Sequence, residues 1–342
     1  MTERTPTVDA YVTAMERRIA PLRRPEPRDP AERRRQAAEL DVAQSRLLGI
    51  APIDVATEEH VLPVAGGHPS VRIRVYWPTA ERPAPGETTG LPILVYCYGG
   101  GFTLAGIDWV GWDAGFRRRA HESGIIVIAV DYSHAPEVKF PAQPEQCWTA
   151  LEWAVAHAGE IGGDPARVAL GGASSGGNLA AATALMNRDR ANHRLRLVLL
   201  EAPALDLTMG HVDAKGLDSN VPGFILRRVG RMLVRQYLGK RKSAQQNPYA
   251  SPMLAKTLEG FPRTVIYTAE LDPLRGDGEA FARRLVADGV PATAVRIIGQ
   301  THESGGLTGY VPAADHMHRD VIATLRALHD EPVEYADPRA RA

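Results

Sequence analysis

Two glycine-rich stretches and two single residues far downstream carry the chemistry available to this chain. Gly171-Gly172-Ala173-Ser174-Ser175-Gly176-Gly177-Asn178-Leu179 lies between a short apolar run, Val168-Ala169-Leu170, and an Ala-rich helical stretch. A serine on a sharp strand-to-helix turn needs neighbours without side chains, because strand and helix approach closely there. Gly172 and Gly176 supply them in the pattern Gly-x-Ser-x-Gly, a nucleophile elbow. The helix start behind the serine also favours developing negative charge. The strict pattern makes Ser174 the nucleophile; the shifted register Ala173-x-Ser175-x-Gly177 would make it Ser175 and fits less well.

A tetrahedral oxyanion needs donors, and a serine hydroxyl needs a base. Tyr98-Gly99-Gly100-Gly101-Phe102 follows the apolar run Leu91–Cys97, and consecutive glycines let a backbone turn its N–H groups toward a ligand. The N–H groups of Gly99, Gly100 and Ser175 are therefore assigned to an oxyanion hole. With an elbow serine the order along the chain is Ser, then Asp or Glu, then His, each after a strand. His302 follows the apolar run ending at Ile298 and is assigned as the base; His316 and His318 fall on the next helical stretch. Asp272 follows Thr264–Thr268 in a turn marked by Pro273 and is assigned as the acid that orients the histidine. Asp206, after the preceding strand, competes for that role, and Asp277 reads as the cap of the next helix. Tyr98 and Phe102 beside the glycine loop, with Phe224 in a later insertion, are expected to line the substrate.

Such groups meet only if strands bring them to one edge of a sheet. Val71–Tyr76 alternates with period two, whereas Leu91–Cys97 and Ile125–Val130 are continuous apolar runs suited to strands buried on both faces; Leu195–Leu200 and Thr264–Thr268 follow as strands. Ala294–Ile298 is a further strand. Helical patterns at Gly115–Ser123, Gln143–Ile161, Asn178–Arg190, Gly278–Asp288 and Pro312–Leu328 separate them, which predicts βαβ units and a mostly parallel sheet. The first fifty residues are read as two helices, one with Val8, Tyr11, Val12, Met15 and Ile19 on an apolar face, the other opening at Pro30 with Asp29 as its N-cap. Arg33–Arg35 in that second helix read as a solvated face. A long insertion between Leu200 and Thr264 holds a third amphipathic helix, Phe224–Leu238. Residues 1–50 are thus expected to form a helical cap segment, 51–204 with 251–332 the catalytic domain, and 205–250 a cap insertion. Deleting residues 1–45 is expected to alter substrate preference more than the catalytic residues.

At this point the chain resembles the hormone-sensitive-lipase family (family IV, bacterial type) of α/β-hydrolases. The likeness runs from about Leu91 to Leu328. It includes Val130-Asp131-Tyr132 with Ala135-Pro136-Glu137, Phe140-Pro141, Gly162-Gly163-Asp164-Pro165, Tyr249-Ala250-Ser251-Pro252 and Asp272-Pro273-Leu274-Arg275, in the family's order. The resemblance implies an α/β-hydrolase fold with an eight-stranded sheet, helices on both faces and a helical cap, no cofactor, and ester hydrolysis through an acyl-enzyme. Its triad falls on Ser174, Asp272 and His302. The chain departs from the family at Tyr98 (a histidine in the family), Ala173 (an acid), Ser175 (alanine), His134 (leucine) and Glu303-Ser304 (Gly-Phe).

Composition narrows the partners. The 342 residues carry 40 Lys and Arg against 40 Asp and Glu, so there is no net positive field to draw nucleic acid. The strongest apolar run, Ile125–Val130, is far short of the ~20 residues a membrane helix needs. The polar N-terminus and the absence of a disulfide framework in two cysteines, Cys97 and Cys147, make the cytoplasm the expected location. The expected activity is a serine carboxylesterase for uncharged, short- to medium-chain esters, small molecules being its partners and a homodimer left open. An amidase, deacetylase or acyltransferase would use the same triad. A binding protein with weakened hydrolysis is the contrasting class, and labelling by a serine-directed fluorophosphonate separates it from an enzyme.

Overall fold

The computed structural model describes residues 7–84, 90–213, 223–240, 242–302 and 304–335, with backbone alone at 223–227 and 242. Among them, eight strands form one sheet: β1 (Thr57–Leu62), β2 (Val71–Tyr76), β3 (Leu91–Cys97), β4 (Ile126–Asp131), β5 (Gly163–Ala173), β6 (Leu195–Glu201), β7 (Thr264–Ala269) and β8 (Ala292–Ile297), in the order β1-β2-β4-β3-β5-β6-β7-β8. β1 and β2 join antiparallel, as do β2 and β4; every pairing from β4 to β8 is parallel. The apolar runs behave as their composition requires. β3, β4 and β7 are buried along nearly their whole length, because helices cover both faces. β5 is longer than the run Val168–Leu170, since its first half carries exposed Pro165 and Ala166 and offers no apolar signal.

β1 is the strand that sequence patterning passes over. Its Thr-Glu-Glu-His-Val-Leu buries only Leu62, as suits an edge strand held by one neighbour. The helices are α1 (Ala10–Ile19), α2 (Pro30–Leu47), α3 (Val110–Ser123), α4 (Ala142–Ala156), α5 (Ser175–Arg190), α6 (Gly223–Leu238), α7 (Arg275–Ala287) and α8 (Pro312–Arg326). Asp29 caps α2 as expected, accepting the Glu32 N–H at 2.8 Å. The run Gln143–Ile161 is not one helix: α4 stops at Ala156, and a 3-10 turn over Ala158–Ile161 leads to Gly162 in the left-handed region. Cys97 and Cys147 are free, buried thiols with sulfurs 3.3 Å apart.

The two N-terminal helices sit on different neighbours. The apolar face of α1 (Val12, Met15, Ile19) packs on Leu307, Val311 and Ala314, and the Asp9 N–H donates to the Gly299 carbonyl at 2.9 Å. α1 therefore braces the segment that carries His302. α2 reaches the insertion instead: Arg33 donates to Gln236 of α6 at 3.4 Å, and Arg34 pairs with Glu137 at 2.6 Å. Arg33 and Arg34 are thus tethers, whereas a wholly solvated face was expected. Deleting residues 1–28 removes α1 and its buried face, each such side chain being worth about 1.5–3 kcal/mol. We expect Tm to fall by roughly 5 °C or more and kcat to fall by a similar factor on every ester tested. Calorimetry and an ester series check this; an unchanged Tm would refute the bracing role.

Candidate active site

Strand register decides which loops meet. Cys97 of β3 lies opposite Gly172 of β5, so the chain leaving β3 at Tyr98–Gly100 runs beside the chain leaving β5 at Ala173–Ser174. Ala269 of β7 lies opposite Ile297 of β8, so Asp272 and His302 leave the same edge from adjacent strands.

The elbow is tight for a steric reason. A β-carbon on Gly172 would stand 2.2 Å from the Gly176 carbonyl oxygen, and one on Gly176 would stand 2.0 Å from that of Cys97. Neither position admits any other residue without moving backbone. Ser174, between them, has φ 53° and ψ −118°, a conformation costly for a residue with a side chain. Its N–H donates to the Glu201 carbonyl at the end of β6 (2.9 Å), which pins the turn to the next strand.

The three residues assigned to the triad come together. His302 Nε2 is 2.9 Å from Ser174 Oγ, and His302 Nδ1 is 2.7 Å from Asp272 Oδ2. Asp272 is 1% exposed, and its other oxygen accepts the Leu274 N–H at 2.9 Å. Ser175, the alternative nucleophile, points elsewhere: its Oγ lies 3.4 Å from the Tyr132 hydroxyl. The histidine loop is closed by Ser304, whose Oγ donates toward Gln300 Oε1 (2.8 Å) and accepts the Thr301 N–H (3.0 Å). Glu303, read as a charge beside the base, lies outside the described residues.

Asp206, the competing acid, is committed to its own loop. It accepts from Thr208 N and Gly210 N and pairs with His211 Nδ1 at 2.8 Å. Asp277 does not cap α7 as expected. It lies inside the first turn, and its Oδ2 accepts the N–H groups of Leu205 (2.7 Å) and Asp206 (2.9 Å), tying α7 to the chain leaving β6. Burial pushes its pKa from an ordinary 3.8 up to about 7, against the pull of those two N–H groups. A carboxyl whose pKa rises on folding lends stability that is full below about pH 3.8 and is lost as pH climbs through about 7. Between about pH 5 and pH 8 the wild-type Tm should drop by on the order of 5 °C more than that of Asp277→Asn, whose amide oxygen keeps both N–H partners. Parallel melting curves for the two proteins would disprove this. His318 pairs with Glu122 at 2.7 Å, and His316 is a solvent-facing residue of α8.

Gly99, Gly100 and Ser175 lie round the elbow, and their N–H groups have no acceptor among the described residues. Gly100 has φ 146°, and a β-carbon there would stand 2.2 Å from the Leu104 carbonyl oxygen, so the loop closes on itself only with glycine. Tyr132, quoted in the sequence only as part of a motif, is a contributor that sequence reasoning missed. Its hydroxyl donates to the Tyr98 carbonyl at 2.9 Å. The peptide is planar and trans, so holding that carbonyl also sets the direction of the Gly99 N–H on its far side.

Two expected substrate contacts are overturned. Tyr98 is 0% exposed and stacks on Tyr132 at 4.4 Å, and Phe102 is 3% exposed and stacks face to face on Tyr237 of α6 at 3.8 Å. Their faces are spent on packing, which ties the glycine loop to the sheet on one side and to the insertion on the other. Phe224 lies in the first turn of α6, and its side chain lies outside what the structure describes.

An elbow serine, a histidine bridging it to a buried carboxylate and a glycine loop at the same sheet edge define an α/β-hydrolase. Residues 94–304 match the alpha/beta hydrolase fold family, and the chain belongs to it, in the hormone-sensitive-lipase-like branch. It is similar to the carboxylesterase NlhH of Mycobacterium tuberculosis (34% identity, 77% of this chain and 80% of that one) and to an arylesterase of Saccharolobus solfataricus (34%, 67% and 71%). Among solved structures it is similar to a bacterial heroin esterase (TM-score 0.81, 29% identity, 95% of this chain and 98% of that one). A hyperthermophilic esterase of Pyrobaculum calidifontis is also similar (TM-score 0.79, 30% identity, 94% and 99%). Among the described residues, no helix is long and apolar enough to cross a membrane.

Proposed function

We propose that this chain is a serine carboxylesterase acting on small, uncharged esters through an acyl-enzyme. The observation that carries the reading is the single imidazole of His302 spanning Ser174 Oγ and Asp272 Oδ2 at 2.9 and 2.7 Å. Ser174 Oγ attacks the ester carbonyl carbon while His302 Nε2 takes its proton; Asp272 keeps the other ring proton on Nδ1 and stabilises the imidazolium. The carbonyl oxygen, now charged, is received by the N–H groups of Gly99, Gly100 and Ser175. Collapse breaks the bond to the alcohol, which leaves with the proton from His302. Water, deprotonated by the same imidazole, then attacks the acyl-enzyme and releases the acid and Ser174.

Apolar Leu233 of α6, which stands against Gly101 of the glycine loop, supports an uncharged substrate. Relatives named carboxylesterase and arylesterase support the ester class. Two free, buried thiols suit a reducing compartment, in line with cytoplasmic action. The test is a panel of neutral esters varied on acyl and alcohol sides, run beside the matching anilides and with added alcohols as competing nucleophiles, plus labelling by a fluorophosphonate. Ester turnover above anilide turnover, with a labelled serine, is expected. A protein that is neither labelled nor active on any ester would be the binding protein instead.

A further inference from the structure

Two departures from the family pattern, Tyr98 and His134, are neighbours in space. Tyr98 Oη lies 3.3 Å from His134 Nε2, and at the same distance from Asp131 Oδ1 and the Tyr132 carbonyl. The backbone of Ala105, at the far end of the glycine loop, pulls the pKa of the same imidazole up. The next residue, Ala135, donates its N–H to the Phe102 carbonyl at 2.9 Å, in the middle of the loop. Residues 134 and 135 therefore hold the loop at its start and its centre.

The loop needs such a restraint. Gly100, Gly101, Phe102 and Ala105 all have positive φ, at 146°, 59°, 63° and 71°. For the two that carry side chains this costs roughly 1–2 kcal/mol each, and strained backbone persists only when its surroundings over-determine it. Burial and the nearby Arg34 guanidinium push the His134 pKa down, against the pull of Asp131, Glu137 and the Ala105 backbone. A neutral imidazole keeps one ring nitrogen unprotonated, able to accept from the Tyr98 hydroxyl. Leucine at this place could not.

We propose that His134 is a positioning residue for the oxyanion loop, acting through Tyr98 Oη to hold the Gly99 and Gly100 peptides at the distance the developing charge needs. The inference rests on the reading of those peptides as oxyanion donors. Outright loss of one such donor costs ~10²–10³ in kcat, so a loop displaced by a fraction of an ångström should cost less, about tenfold.

The experiment compares full-length wild type, His134→Leu, His134→Gln, Tyr98→Phe and the Leu/Phe double variant on p-nitrophenyl acetate, with Tm for each. His134→Leu and Tyr98→Phe should each lower kcat about tenfold with KM within about twofold. The double variant should lose clearly less than the product of the two single losses, because the Tyr98–His134 contact is removed by both. His134→Gln, which retains a donor and an acceptor, should recover kcat to within about threefold of wild type. A wild-type kcat in Tyr98→Phe or His134→Leu overturns the proposal. So do losses that multiply in the double variant, or a change in Tm with none in kcat. Should His134→Leu fail to fold, Tyr98→Phe and His134→Gln decide the matter alone. An inactive wild type would instead overturn the esterase reading, which Ser174→Ala tests separately.

Discussion

Ser174→Ala is expected to remove ester hydrolysis almost entirely, on the order of 10⁶ in kcat, with the fold intact. The hydroxyl is the atom 2.9 Å from His302 Nε2, and no neighbouring hydroxyl can replace it. Ser175 is adjacent in sequence, but its Oγ faces the Tyr132 hydroxyl at 3.4 Å. Ser175→Ala should accordingly keep kcat within about tenfold of wild type, since alanine retains the N–H assigned to the oxyanion hole. The strained φ of 53° is set by the Gly172 and Gly176 contacts and by the Ser174 N–H bond to Glu201, none of which uses the hydroxyl. Melting temperature should therefore change little. Rates for both variants, with fluorophosphonate labelling followed by peptide mapping, check the assignment. Label and activity surviving in Ser174→Ala and vanishing in Ser175→Ala would move the nucleophile by one residue.

Asp272→Asn should cost on the order of 10⁴ in kcat, the second-largest effect. Asp272 Oδ1 accepts the Leu274 N–H at 2.9 Å, so an asparagine would keep its carbonyl oxygen there and turn its amide N–H groups toward His302. Those donors demand an unprotonated Nδ1, which puts the ring proton on Nε2, facing Ser174. An imidazole in that tautomer cannot accept the serine proton. Asp206→Asn should lose far less, because Asp206 holds Thr208, Gly210 and His211 and does not touch His302 through any hydrogen bond among the described residues. Single-turnover acylation rates for both variants give the comparison, and the reverse ranking would place the acid after β6.

Much of this molecule is legible in its amino-acid sequence. Continuous apolar runs at Leu91–Cys97 and Ile125–Val130 announce strands covered on both faces, since only such strands can be apolar throughout. The glycines at 172 and 176 announce an elbow because a β-carbon at either place would stand within 2.2 Å of a backbone oxygen. Ser174, Asp272 and His302 were readable because each follows a strand, and strand ends in a parallel sheet share an edge. β1 was not readable, as an edge strand with two glutamates and a histidine carries no apolar pattern. The environments of Tyr98 and Phe102 were not readable either. An aromatic residue beside a glycine loop can face substrate or neighbour, and only Tyr132 and Tyr237, distant in sequence, show that the neighbour won.

Local rules of spacing and size thus determined the elbow, the strand–helix alternation and which three side chains leave strand ends to meet at one edge, because each depends on neighbours a few residues away. Tertiary structure alone decided what the long-range contacts do. It turned Asp277 from a helix cap into the anchor of the chain leaving β6, and it set α1 against the histidine segment and α2 against the insertion. It also brought His134 to Tyr98. The physical reason is that a side chain's type limits the bonds it can make, while the partner it meets depends on strand order and register, which no single segment of sequence contains.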